Sequence, residues 1–141
     1  MEETIAETAA RLSRAVTRLN RKLRGTAPER VSPGMASMLA SIAKHKNPSL
    51  GDLALAEHIK PPSVTRLVRD MEREGLITCT LDADDRRCTR VSLTSAGRRE
   101  LDTIRKKKAE FIEQRLLTLS VADQRRAREV ATFLETLLED R

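Results

Sequence analysis

The chain has 141 residues, with 27 Lys and Arg against 21 Asp and Glu, for a formal charge of +6. That length suits one domain with arms, and a 34% charged share beside plentiful aliphatics excludes a disordered tail. No apolar run approaches the ~20 residues of a membrane span. The opening Met1-Glu2-Glu3 lacks the basic start of a signal peptide, and two cysteines, Cys79 and Cys88, fit a reducing compartment, so a cytoplasmic protein is expected. The aromatic count is the sharpest exclusion: Phe111 and Phe133 stand alone, with no Tyr and no Trp. Single strands and RNA loops are usually held by stacking on rings, so a basic chain without them points to duplex backbone or an acidic partner.

In chain order, Thr4 and Glu7 form a capping box that opens a helix with Ile5, Ala9, Leu12, Val16, Leu19 and Leu23 on one face, and Gly25 is its stop. Ser32-Pro33 opens a second helix with Met35, Met38, Leu39, Ile42 and Ala43 on its apolar side; it ends before Pro48. A short third helix spans Asp52 to about His58 and buries Leu53 with some of Ala54, Leu55 and Ala56.

Pro61-Pro62 opens the fourth helix. Val64, Leu67, Val68 and Met71 make its core face, whereas Ser63, Thr65, Arg66, Arg69 and Arg73 lie opposite, and Gly75 closes it. Two helices joined by a tight turn, the second apolar on one side and basic on the other, describe a helix-turn-helix. Strands at Leu76–Leu81 and Thr89–Leu93 then flank the charged tip Asp82-Ala83-Asp84-Asp85-Arg86-Arg87-Cys88. This hairpin reads as a wing that projects Arg86 and Arg87 toward a minor groove, with Asp82, Asp84 and Asp85 bracing the arginines across the loop. Thr94 caps a helix to about Thr118, and Ser120 with Asp123 caps a last one to about Glu139. These two helices and the first carry more apolar surface than the winged region can cover. A second copy of the chain is the expected partner, meeting Ile5, Leu12, Val16, Leu19, Phe133, Leu134 and Leu137. The fold expected is mainly α with a small antiparallel β wing. Residues 1–31 and 110–141 form dimerisation helices, and residues 32–109 a winged helix-turn-helix.

Asp-Ala-Asp-Asp-Arg-Arg-Cys-Thr-Arg-Val-Ser-Leu-Thr-Ser-Ala-Gly over Asp82–Gly97 resembles the wing signature of the MarR family of transcription regulators, an Asp-Pro-x-Asp-Arg-Arg tip followed by a strand and Leu-Thr-x-x-Gly. Leu53-Ala54, Ser63-Val64-Thr65-Arg66-Leu67-Val68 and Glu74-Gly75-Leu76-Ile77 extend the likeness. The resemblance implies a homodimeric, ligand-responsive repressor on a pseudo-palindromic operator. By position, Ser63, Thr65 and Arg66 would face the major groove, Arg87 would enter the minor groove, and Asp85 would fix the wing tip; Pro62, Arg69 and Arg73 on the same helix and Arg86 beside Arg87 are further DNA-contact residues expected from the helix face and the loop. Three departures stand out: Ala83 and Leu81 replace common prolines, and Cys79 replaces an arginine that often pairs with the wing aspartate. Asp85 must therefore find another partner, Arg86 or Arg90.

Other readings fit the residues less well. Neither His45 nor His58 has a nucleophile beside it, the five glycines are isolated, and no Cys or His pair has zinc-ligand spacing, so neither an enzyme nor a cofactor or metal is expected. Cys88 among Arg86, Arg87 and Arg90 leaves a thiol redox sensor as one alternative. A nucleoid-like DNA binder without an effector is the other. For a regulator, a small anionic or aromatic effector is the expected ligand, in an aliphatic pocket with Arg or Lys.

Overall fold

The computed structural model describes residues 2–139. Six helices and one hairpin follow in the order α1 (Ile5–Arg24), α2 (Pro33–Lys44), α3 (Leu50–Glu57), α4 (Pro61–Arg73), β1 (Ile77–Leu81), β2 (Thr89–Leu93), α5 (Ser95–Leu116) and α6 (Val121–Leu138). The caps expected at Thr4, Ser32, Thr94 and Ser120 are all formed. α3 begins two residues earlier than expected, because Ser49 accepts from Asp52 N while the Asp52 carboxylate takes Ser49 N, a second capping box. Leu53 is its buried residue, and Leu55 is 78% exposed. β1 starts at Ile77, α5 ends at Leu116 and α6 at Leu138, each a residue or two inside the expected bounds.

α4 ends in a Schellman turn: Leu76 N donates to Met71 O and Gly75 N to Glu72 O, with Gly75 in the left-handed region at φ 73°. The chain enters β1 there, and the strands pair antiparallel from Ile77–Leu93 to Leu81–Thr89. Thr94 fastens the return, its N–H donating to Leu76 O and its hydroxyl to Gly75 O. α5 crosses this junction so closely that an added Cβ at Gly97 would stand 2.0 Å from Leu76 O.

The core runs from Val31 to Ile104, around Met38, Leu39, Leu53, Val64, Met71, Ile77, Val91 and Leu101. Each such side chain contributes ~1.5–3 kcal/mol by leaving water. Ala43, placed on the apolar side of α2 by its spacing, is exposed at the helix end. One carboxylate breaks the apolar stripe of α5. Glu100 is 6% exposed, one oxygen pairs with Arg30, and the other meets no donor among the described residues. Neither α1 nor α6 has a buried residue. Ile5 is 87% exposed, Val16 47%, Leu19 42%, Phe133 55% and Leu137 59%, while Leu12 and Leu134 are half-covered.

Candidate nucleic-acid interface

α4 buries Val64, Val68 and Met71, which turns Pro62, Ser63, Thr65, Arg66, Arg69 and Arg73 outward as one exposed face. Arg73 leans on Asp70 at 3.5 Å, whereas Arg66 and Arg69 have no ion pair among the described residues. The Thr65 hydroxyl donates to Pro61 O at 3.1 Å, which leaves its methyl and its acceptor lone pairs outward. The helix start is unusual. Pro61 and Pro62 occupy its first positions, no side chain caps it, and Lys60 O accepts from both Ser63 N and Val64 N.

The wing tip is organised by two aspartates with different tasks. Asp82 Oδ1 accepts from the amides of Asp84 and Asp85 at 2.8 and 3.1 Å, closing the turn, while its Oδ2 receives Arg90 Nε at 2.7 Å. The Arg90 guanidinium, first among these contacts, holds the Asp82 carboxyl below its usual range, and the two amides add to it. Asp85 serves Arg87: its carboxylate takes Arg87 Nε and backbone N, both at 3.1 Å, and this lowers its pKa. Arg87 is thereby aimed outward with its side chain 93% exposed.

Of the two partners expected for Asp85, neither Arg86 nor Arg90 is used. Arg87 lies two residues away and reaches it within one turn, whereas Arg90 is drawn to the base of the loop by Asp82. Asp84 does not brace any arginine; its carboxylate has no ion pair among the described residues, and only its amide is engaged. Arg90 does more than the sequence indicated. Its Nη1 also lies 3.6 Å from Asp52 on α3 and donates to Asn47 O at 3.4 Å, and its backbone bridges to Ser49. With Val91 N donating to Pro48 O at 2.9 Å, the segment before α3 pairs with β2 and joins the wing to the helix-turn-helix. The Ser49-x-x-Asp52 box was the one local signal for this junction, and Pro48 obscured it.

Cys79 N donates to Glu72, which ties β1 to α4, and burial, then the Glu72 carboxylate, pushes its thiol up to about 11. Such a thiol is protonated at neutral pH and a poor nucleophile. His45 and His58 stand at the C-caps of α2 and α3.

Comparison with known proteins agrees with this arrangement. The family model described as MarR family matches residues 31–89, which takes in α2, α3, α4 and the wing loop. The uncharacterized HTH-type transcriptional regulator Mb0904 of Mycobacterium bovis is 30% identical over 141 residues, 99% of each chain. A MarR family protein from Bacillus stearothermophilus superposes with a TM-score of 0.79 at 21% identity, covering 98% of both chains. A variant of S. aureus MepR bound to an oligodeoxyribonucleotide does so at 0.70 and 21% identity, covering 98% of this chain and all of that one. An exposed helix-turn-helix face beside a braced wing, full-length similarity to a regulator and the family match together make this chain a member of the MarR family of winged-helix, DNA-binding transcription regulators.

Proposed function

We propose that the protein is a homodimeric repressor that reads a pseudo-palindromic operator, with α4 in the major groove and the wing in the adjacent minor groove. The observation that carries this reading is the exposed α4 face, on which Arg66 and Arg69 have no ion pair among the described residues, beside the outward Arg87 of the wing. A guanidinium on such a face pairs bidentately with guanine, and one on a projecting loop suits the negative potential of a narrow minor groove. Dimerisation is supported by α1 and α6, which present Ile5, Val16, Leu19, Phe133 and Leu137 to solvent in a single chain. The two reading helices of the dimer then address half-sites ~34 Å apart. A small effector has a candidate seat in the cavity of about 380 Å³ bounded by Arg30, Glu74, Leu76, Arg99, Glu100 and Thr103, where Arg30 is already paired with Glu100 and Arg99, which has no ion pair among the described residues, is the cation left for an anion. It adjoins the turn from α4 into the wing, so a bound ligand would act directly on the reading elements.

Selection of operators from random duplexes, followed by Arg66→Ala, tests the reading. The variant should lose base preference at defined positions, each worth ~1–3 kcal/mol. Uniformly weaker binding with unchanged preference would make Arg66 a phosphate contact, and affinity for the best operator within about ten-fold of random DNA would favour a nucleoid-like protein instead.

A further inference from the structure

The positive charge of this protein does not sit on its reading head. α4 carries Arg66, Arg69 and Arg73 against Asp70 and Glu72, a net +1, and the wing from Ile77 to Leu93 carries three arginines against three aspartates, a net of zero. α1 alone holds Arg11, Arg14, Arg18, Arg21, Lys22 and Arg24 against Glu7, a net +5 within a chain of +6.

These charges are ordered. At ~100° per residue, Arg11, Arg14, Arg18 and Arg21 project within roughly 80° of one another. Ile5, Leu12, Val16 and Leu19 fill a similar arc on the opposite side of the helix. Burying the apolar stripe against a second chain therefore turns the arginine ridge outward rather than covering it. All four arginines are exposed; Arg11 meets Glu3 at 2.9 Å, and the other three have no ion pair among the described residues. Holding three like charges in one row on a helix is unfavourable unless something negative compensates them.

We propose that the α1 ridge is a second duplex-DNA surface, which holds phosphates of a DNA segment other than the half-site read by α4. The dimensions fit. Arg11 to Arg21 spans ~15 Å of helix, and ~15 Å of duplex presents about four phosphates on each strand, one for each guanidinium. Guanidinium is the side-chain group best matched to phosphate, and every cation of the ridge proper is an arginine. DNA is also the polyanion that the reading head keeps at high local concentration. The dimer then has two heads that recognise sequence and two ridges that grip backbone indifferently, so operator-bound protein can hold a neighbouring duplex.

The test uses full-length protein with Arg11, Arg14, Arg18 and Arg21 all changed to Gln, and with all four changed to Lys. Binding to non-operator duplex is titrated by anisotropy between 50 and 200 mM salt. Loss of four phosphate contacts should make the log–log salt slope shallower by ~3–4 per ridge engaged, a difference of about 10²-fold in affinity across that range. The Lys variant should keep the parent slope. In wild-type protein, non-operator duplex should protect Arg14 and Arg18 from phenylglyoxal, a readout that stands even if the Gln variant does not fold. A parent-like slope in a folded Gln variant, arginines already unreactive without DNA, or protection by polyglutamate or anionic vesicles but not by duplex would each overturn the proposal. Base preference is read separately through Arg66, so failure of the ridge and failure of operator reading are distinguishable.

Discussion

Gly97→Ala puts the junction between α5 and the wing under direct test. The added carbon would lie 2.0 Å from Leu76 O and 3.0 Å from its carbonyl carbon, where ordinary contact needs more than 3.4 Å. The obstacle is main chain, and it is pinned: Leu76 O accepts Thr94 N at 3.0 Å, and neighbouring Gly75 O accepts the Thr94 hydroxyl at 2.6 Å. Relief requires α5 to move away by more than an ångström, and overpacking of this kind costs ~3 kcal/mol or more. The helix preference of Ala over Gly returns at most ~1 kcal/mol. A net loss of about 2 kcal/mol lowers Tm by roughly 6–8 °C for a chain of this size. Melting should be followed at fixed protein concentration, because self-association would otherwise shift Tm. Gly34→Ala is the control, since its added carbon meets nothing closer than 3.7 Å and should leave Tm unchanged or slightly raised. Because β1 begins one residue after Leu76, Gly97→Ala should also weaken operator binding at temperatures where it is folded. A Tm within 2 °C of the parent, on the order of the control's own shift, would refute the reasoning.

Four further outcomes follow from contacts described above. Arg90→Met should weaken operator binding more than non-operator binding, because it unties β2 from Asp52 and Asn47 and strips Asp82, which closes the wing tip, of its cation; equal losses on both DNAs would contradict a positioning role. Asp82 has its pKa depressed on folding, so its bracing is complete above the ordinary 3.8 and is lost only as pH falls through the lower folded value; an Asp82 carboxyl titrating above 3.8 by NMR would refute this. Arg30→Ala should cost ~1–3 kcal/mol in urea unfolding by stranding Glu100, and adding Glu100→Leu should restore or exceed parental stability. A double variant no more stable than Arg30→Ala would show that the carboxylate is not the liability. With its thiol at about 11, Cys79 should react with iodoacetamide at pH 8 roughly a hundred-fold more slowly than a thiol at the ordinary 9.0, and a rate near that of the unfolded protein would contradict this.

The legible parts of this protein were those governed by neighbours in sequence. Thr4 with Glu7, Ser32 with Pro33 and Ser120 with Asp123 lie within one helical turn of each other, so their hydrogen bonds follow from spacing. The α4 face was equally readable, because Val64, Val68 and Met71 fix which side is buried. What escaped depends on segments far apart. Arg90 meets Asn47 and Asp52 about forty positions upstream, and Glu100 meets Arg30 across seventy. A spacing rule applied to α5 marks Gly97, Leu101 and Ile104 as core and gives no reason for a carboxylate between them. The pairing of Asp85 with Arg87 lies within the expected bracing of the wing arginines by the loop carboxylates, and Arg86 and Arg90, the partners expected in place of the arginine missing at Cys79, are not used.

The start of α4 carries a consequence for how it meets DNA. Helix beginnings often capture a phosphate with their unpaired amides. Here two of those amides do not exist, because Pro61 and Pro62 have none, and a third, that of Ser63, is already spent on Lys60 O. This helix tip is therefore no anion trap. In the docking proposed above it would enter a groove with hydrocarbon foremost, and the Pro62 ring would offer a surface to a thymine methyl rather than to a backbone oxygen. Affinity at that end then depends on what the base pair displays, and replacing Pro62 by a residue with an amide would trade discrimination for indiscriminate grip.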